Sequence, residues 1–521
     1  MEEVELITIK IFYAYAHTKK DIPLRNELEK HLATLRRQNV ITGWSDQNIT
    51  AGSEWKREVN INLKAADIIL LLVSPDFMDS DYCYSLELKE ALEKYRMKRV
   101  EVLPVLLRPA YWEESFFGHL QPLPRNAQPV STWKYPDAAF VDVVKEIKMV
   151  AKRLLALKYI QKASDFLADG QLANALKVCE CSINSDNTLY SSFFTKGNIL
   201  YQMKRYEDAK NAYLEAISLN PEEAIFYERI GNIYSIYLEN YQKALEAYER
   251  ASTLAPGEAV YHARMGYLLY ARLNRYADAI DAYRQASELA PRKAAYHAEI
   301  GKILYTRLGK YQEALEAYSQ AIKLDPKEAA YHAMIGKILY RHLGRYKDAI
   351  EVYQRASNLN PKEATYYAAI GKILSIHIKD HQKALDAYKR ASELAPEEAA
   401  YYAEIGEILS IYFSLYKEAI MAFKQASRYD PEEAVYHAEI GKLSLYLNDY
   451  QEALNAYKRA SELAPKEAAY YARIGEILEL WSQNMLAQAQ KFKRKAIELK
   501  HSATEDQSFI ERNFKHEENL F

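Results

Sequence analysis

Apolar and polar positions alternate in two rhythms along this chain. In the first, short apolar runs are separated by stretches with an apolar residue every third or fourth position. Ile7 to Tyr13 predicts a strand, and Leu24, Leu28, Leu32 and Leu35 make the stripe of a helix after it. Val40 to Trp44 predicts a short second strand, and a helix is expected from about Ser53 to Ala65. Ala65 to Val73 is a run of Ile, Leu and Val, too short to cross a bilayer and stopped by Ser74-Pro75-Asp76. It reads as a buried strand of parallel type. Asp79, Ser80 and Asp81 then offer capping oxygens to a helix starting near Tyr82, with Leu88, Ala91, Leu92 and Tyr95 on one face. A strand around Pro104, an irregular stretch from Tyr111 to Gln128, a last short strand near Pro129 to Thr132 and a helix from Ala138 to Leu155 follow. Strands and helices in alternation predict a doubly wound α/β layer.

Beyond Leu157 the rhythm changes. Prolines stand at 221, 256, 291, 326, 361, 396, 431 and 465, in steps of 35 and finally 34. Ten residues after each comes a glycine, from Gly231 to Gly475, and Gly197 precedes them. A fixed period near 34 predicts stacked helical hairpins. Glycine and alanine, as at Gly301, Ala314 and Ala321, let neighbouring helices approach closely, and proline ends the second helix of each unit. About ten units are expected, with degenerate ends at Leu157 to Asn187 and Ala468 to His501. Atypical ends are what capping repeats require. The domains are therefore set at 1–155, 156–500 and a polar tail at 501–521.

Composition narrows the function. The chain has 521 residues, 49% hydrophobic, with a formal net charge of -2, which argues against a nucleic-acid protein. No leading apolar segment stands out, so no membrane partner is expected. Three cysteines, Cys83, Cys179 and Cys181, make no four-ligand metal pattern and fit a reducing cytoplasm. Tyrosine is over-used, 44 against 15 Phe, because the repeats place it at fixed positions. Five residues after each proline from Pro256 to Pro465 stands Tyr261, Tyr296, Tyr331, Tyr366, Tyr401, Tyr436 or Tyr470, followed by His or Tyr. Because His and Tyr interchange there, the position is read as aromatic packing and no metal is expected.

Glu87 is the first candidate for chemistry. It lies at the border of its helix's apolar face, after a buried strand, where open α/β sheets hold their ligands. The same spacing also fits a glutamate placed favourably early in a helix.

Five segments in order resemble the Toll/interleukin receptor (TIR) domain of the bacterial kind. They are Ile9 to His17, Trp44 to Trp55, Asp67 to Phe77, Ser80 to Leu92, and Val102 to Pro109 with Trp112 behind it. The later units resemble the tetratricopeptide repeat, as in Ala294-Ala295-Tyr296-His297-Ala298-Glu299-Ile300-Gly301 with Tyr311 to Tyr318 and Pro326. The resemblance implies a flavodoxin-like α/β domain, a parallel sheet with helices on both sides, followed by an all-α solenoid. It implies an NAD+ hydrolase with Glu87 as the catalytic carboxylate. Tyr15, Ala16 and His17, Trp44 and Asp46, and Tyr82 and Cys83 would then contact the dinucleotide. Ala14 stands where many relatives have Ser, and some have Arg where Ala16 and His17 stand, departures that touch phosphate binding and leave Lys19 and Lys20 as candidate substitutes. NAD+ enters as substrate, with no further cofactor. The implied role is antiviral defence by NAD+ depletion, controlled through a homo-oligomer or filament built on TIR and repeat surfaces, or through a protein or peptide trigger in the repeat groove. The alternative is a non-catalytic adaptor that assembles partners through the same surfaces.

Overall fold

The computed structural model describes residues 7–44, 55–80, 93, 95 and 100–502. The chain divides into two compact units, Met1–Leu273 and Asn274–Phe521.

The first unit opens with a parallel sheet of four strands, β1 Ile9–Ala14, β2 Ile41–Trp44, β3 Ile68–Val73 and β4 Glu101–Leu106, in the order β2-β1-β3-β4. All six residues of β3 are fully buried, as its unbroken apolar run requires of a central parallel strand. Alternate residues feed two cores. Ile9, Ile11 and Tyr13 join Leu28 of helix α1 (Asp21–His31) and Leu32 just past its end. Phe12, Ala14, Ile69 and Leu71 join Val59 and Leu63 of α3 (Trp55–Ala65) and Phe77 of the short α4 (Pro75–Met78). A short helix α2, Ala33–Arg37, lies between α1 and β2. Helices thus cover both faces.

Two sequence expectations are corrected here. Val130 to Thr132 is a turn of 3-10 helix, not a strand; Ser131 N donates to Leu107 O at 3.0 Å, but its neighbours turn back on themselves, Thr132 N to Pro129 O at 2.9 Å. The helix expected to end at Leu155 runs on as α5, Pro136–Ala168, so the boundary at 155/156 falls inside one helix. Nothing between Leu155 and Leu157 breaks helical backbone. The first half of α5 buries Phe140, Val143, Ile147 and Ala151 against the sheet; Ala163 in the second half packs with Ala175 and Val178 of the helix Leu172–Ser185. Ser182 Oγ donates to the Ala156 carbonyl at 2.8 Å, and Lys158 Nζ reaches Asp67 Oδ2 at 2.6 Å, so this helix is fastened to both neighbours.

Hairpins Tyr190–Gln202/Tyr206–Leu219 and Ala224–Ile236/Tyr241–Leu254 follow, and Ala259–Ala271 closes the first unit. The second unit begins with Tyr276–Leu289 and repeats the hairpin through Tyr450–Leu463. The glycine ten residues past the proline is a contact point at Gly231, Gly301, Gly336, Gly371, Gly406 and Gly441. A Cβ on Gly336 would meet the Tyr353 ring at 2.8 Å, and one on Gly441 the Tyr457 ring at 2.6 Å. In two of the 35-residue units the extra residue is absorbed where the helices meet: Leu304–Leu308 and Leu374–Ile378 are π turns, closed by Gly309 and Lys379 at φ 63° and 61°. Ring stacks also join successive units, His342 on Tyr311 at 3.8 Å and His377 on Tyr346 at 3.9 Å. The expected degenerate hairpin at the end is instead a single helix, Ala468–Ser502; residues 503–521 of the expected tail lie outside the described residues.

Candidate functional site

The order β2-β1-β3-β4 makes the gap between the carboxyl ends of β1 and β3 the point where the chain winds off to opposite sides. Open parallel sheets bind ligands in that crevice. Three loops meet there, after β1, β3 and β4. Asp21, the first residue of α1, is fully buried among them. Ser74, capping α4, accepts from Phe77 N at 3.1 Å and donates to Asp21 Oδ2 at 2.6 Å. Arg108, two residues past β4, donates through Nε to Asp21 Oδ1 at 2.7 Å and through Nη2 to the Asp76 carboxylate. The hydrogen bond that Arg108 donates to Asp21 raises the Arg108 pKa above its ordinary value. This buried charge is matched on both oxygens, so the group ties the three loops together.

Tyr15, Ala16 and His17 leave β1 at this edge. The Tyr15 ring is 5% exposed, lying 5.4 Å from the Arg25 guanidinium and 4.7 Å from the His17 ring. His17 is exposed, whereas Ala16 is buried and its carbonyl accepts from Thr18 N at 2.9 Å. Any contact by Ala16 is thus through its backbone, and His17 carries the accessible ring. Trp44 ends β2 in register with Phe12. Asp46, Tyr82, Cys83 and Glu87 lie outside the described residues.

Asp21, Ser74 and Asp76 were not singled out from the sequence. Ser74-Pro75-Asp76 and Arg108-Pro109 each follow an apolar strand directly, and polar residues there fall at the carboxyl edge of a parallel sheet. That signal was readable, whereas the partnership with Asp21 was not.

One set of metal-type ligands occurs among the described residues: Glu27, His31 and Asp137, with ligand atoms within 4.8 Å of one another. It sits at the far end of α1 from Asp21, and Lys30 already pairs with Glu27 at 2.9 Å. In the array, burial raises the pKa of Tyr331, Tyr366 and Tyr401, and His332 is 7% exposed with Nε2 3.3 Å from the Pro326 carbonyl. These are packed rings. A cleft of about 270 Å³ in the second unit is lined by Lys337, Arg341 and Lys372 with Tyr353, Tyr388 and Glu404. Its balance is cationic.

The TIR domain family matches residues 11–142, which contain the sheet from Ile11 onward, the Asp21 cluster and the loop carrying His17. Tetratricopeptide repeat families match 197–235, 224–258, 265–326, 303–368, 364–398 and 438–480. The chain is a TIR-domain protein with a carboxyl-terminal tetratricopeptide array. This TIR–tetratricopeptide protein is 40% identical over 144 residues to the uncharacterized protein y4lF of Sinorhizobium fredii (strain NBRC 101917 / NGR234). The match covers 28% of the TIR–tetratricopeptide protein and 44% of that relative, less than half of its length. Among solved structures, the carboxyl-terminal part of a TPR repeat-containing protein from Cytophaga hutchinsonii is 18% identical with TM-score 0.41, over 47% of this chain and 99% of that one. YrrB, described as a TPR protein with an unusual peptide-binding site, is 20% identical with TM-score 0.33, over 37% and 97%. MamA from Desulfovibrio magneticus RS-1 is 24% identical with TM-score 0.30, over 34% and 97%. No helix among the described residues is long and apolar enough to cross a membrane.

Proposed function

We propose that the TIR domain cleaves NAD+ at the nicotinamide–ribose bond and that the tetratricopeptide array controls this through assembly or through a bound protein segment. The TIR match over 11–142 carries the reading, with the exposed His17 beside the β1/β3 crevice where a dinucleotide would lie. As the C1′–N bond breaks, its electrons pass to the ring nitrogen and nicotinamide leaves neutral. The ribose is then an oxocarbenium ion. Water adds to C1′ and loses a proton, giving ADP-ribose; attack by a group of the same molecule would give a cyclic product. Glu87 is assigned to stabilise the positive sugar, since a fixed carboxylate beside developing positive charge lowers the barrier. His17 and Tyr15 are assigned to the base or nicotinamide end, with Ala16, Trp44, Asp46, Tyr82 and Cys83 as further lining.

Uncontrolled NAD+ loss would kill the host, so activity gated by assembly suits a cytoplasmic defence effector. The array offers two means of control. Helix α5 joins sheet to first hairpin without a break, and the Lys337–Arg341–Lys372 cleft favours an acidic segment.

The purified chain is incubated with NAD+ and nicotinamide is followed by chromatography. Release by the wild type, with His17→Ala raising KM about 10-fold at nearly unchanged kcat, is the expected result. No release at any protein concentration would favour the adaptor.

A further inference from the structure

In each inner hairpin the first helix is covered on one face. The ring of Tyr318 lies on Gly301, that of Tyr353 on Gly336, that of Phe423 on Gly406. Three residues further, Leu304, Leu339, Leu374 and Leu409 are 3%, 3%, 7% and 7% exposed. The last unit breaks this rule. Its second helix does not fold back, because Ala468–Ser502 runs straight. Nothing among the described residues lies within 4 Å of a Cβ built on Gly475, and Leu478, at the position of those buried leucines, is 48% exposed. The adjacent side of the same helix, about 100° round from Leu478, is anchored, with Ile477 fully buried against Ala453 and Tyr457.

The uncovered face has its own pattern. Tyr471, Leu478 and Met485 follow one another at intervals of seven and are 52%, 48% and 58% exposed. Residues seven apart fall on one strip of a helix, so these three side chains line a single seam along which a second helix can lie. Small residues, Gly475 and Ser482, fall three before and four after Leu478. The stripe is therefore nearly symmetric about Leu478. An antiparallel copy related by a two-fold axis would set Leu478 on Leu478 and Tyr471 on Met485, with the small residues admitting close approach. Such a self-complementary patch is what an isologous interface needs.

We propose that the helix Ala468–Ser502 pairs with the same helix of a second copy, the two-fold passing near Leu478. The partner helix supplies the cover that every inner unit obtains from its own second helix. The proposal deepens the assembly reading above by naming its surface, and it rests on none of the NAD+ chemistry.

The full chain is measured by light scattering and sedimentation across a concentration series. The expected mass is twice that of one chain. Leu478→Glu weakens association at least about 100-fold, since a charge replaces the central anchor on both sides. Leu480→Glu, on the opposite face, leaves the mass unchanged. If Leu478→Glu perturbs folding, cysteine variants with a short bis-maleimide decide. Leu478→Cys links to itself above the wild-type background, and Tyr471→Cys links to Met485→Cys in mixed samples and not to itself. A monomer at every concentration, a dimer indifferent to Leu478→Glu, or cross-links without this pattern would overturn the proposal. Nicotinamide release by the same variants reports separately: full activity in a monomeric Leu478→Glu would end control by this assembly while leaving the interface standing.

Discussion

Arg108 Nε donates to Asp21 Oδ1 at 2.7 Å, pinning a residue just past β4 to one 87 positions earlier at the start of α1. Asp21 is fully buried, so removing its partner strands a charge in the protein interior. Arg108→Ala is expected to cost the TIR domain about 3–5 kcal/mol, the usual penalty for breaking a buried pair from one side. Arg108→Lys recovers only part of this, because one ammonium cannot reproduce the two arms that reach Asp21 and Asp76. Chemical denaturation followed by fluorescence measures both.

Gly336 and Tyr353 make a second test, within the array. A methyl group at Gly336 would sit 2.8 Å from the ring, closer than packed carbons tolerate. Gly336→Ala should destabilise by about 1–3 kcal/mol, the range for overpacking a core. If the clash is the cause, Gly336→Ala in a Tyr353→Leu background costs clearly less than in the wild type, and a double-mutant cycle on denaturation midpoints reads the coupling.

The repeat period was legible because proline and glycine recur where backbone and packing demand them. The buried run Ile68–Val73 was legible as a central parallel strand for the same reason: only a strand covered on both faces is apolar throughout. The continuity of α5 was not. The change in rhythm after Leu157 marks where α5 changes packing partner, from sheet to hairpin, and a helix can change partner without ending. Val130 is buried, as expected of a short strand, yet its neighbours close a turn on Pro129. The Asp21 group escaped because its contacts join residues 53 and 87 apart, which no local pattern carries. His17 was readable as a loop residue, but the burial of Tyr15 and Ala16 beside it was not.

The unbroken α5 has a consequence for control. Leu157 is 42% exposed and lies mid-helix, so Leu157→Pro should break α5 at a cost of about 3 kcal/mol without opening the sheet or the array. The expected result is an assembly of unchanged mass in which NAD+ cleavage no longer follows protein concentration. Activity assays and light scattering on the same samples check this.

Glu407 gives a pH test. Burial first, then the nearby Glu404 and Glu439, raise its pKa above the usual carboxylate value. The folded state therefore binds this proton more tightly than the unfolded state, and stability is lost as pH rises through the gap between the two values. Glu407→Gln should melt higher than wild type at pH 7, with the difference vanishing below the unfolded pKa of about 4.3. His297, lowered by burial, acts in the other direction: the array loses stability as pH falls below about 6.5, where the unfolded chain takes up the proton first. Thermal melts across pH for both variants, Glu407→Gln and His297→Gln, separate the two contributions.

In the proposed function one carboxylate, on Glu87, turns the TIR domain into an NAD+-cleaving enzyme. Nicotinamide release by the purified full chain, wild type against Glu87→Ala at equal protein concentration and equal oligomeric mass, tests it most directly. Turnover by the wild type is expected, with a loss of at least about 100-fold in kcat for the variant, the scale at which removing one transition-state contact acts. Undiminished release by Glu87→Ala would contradict it.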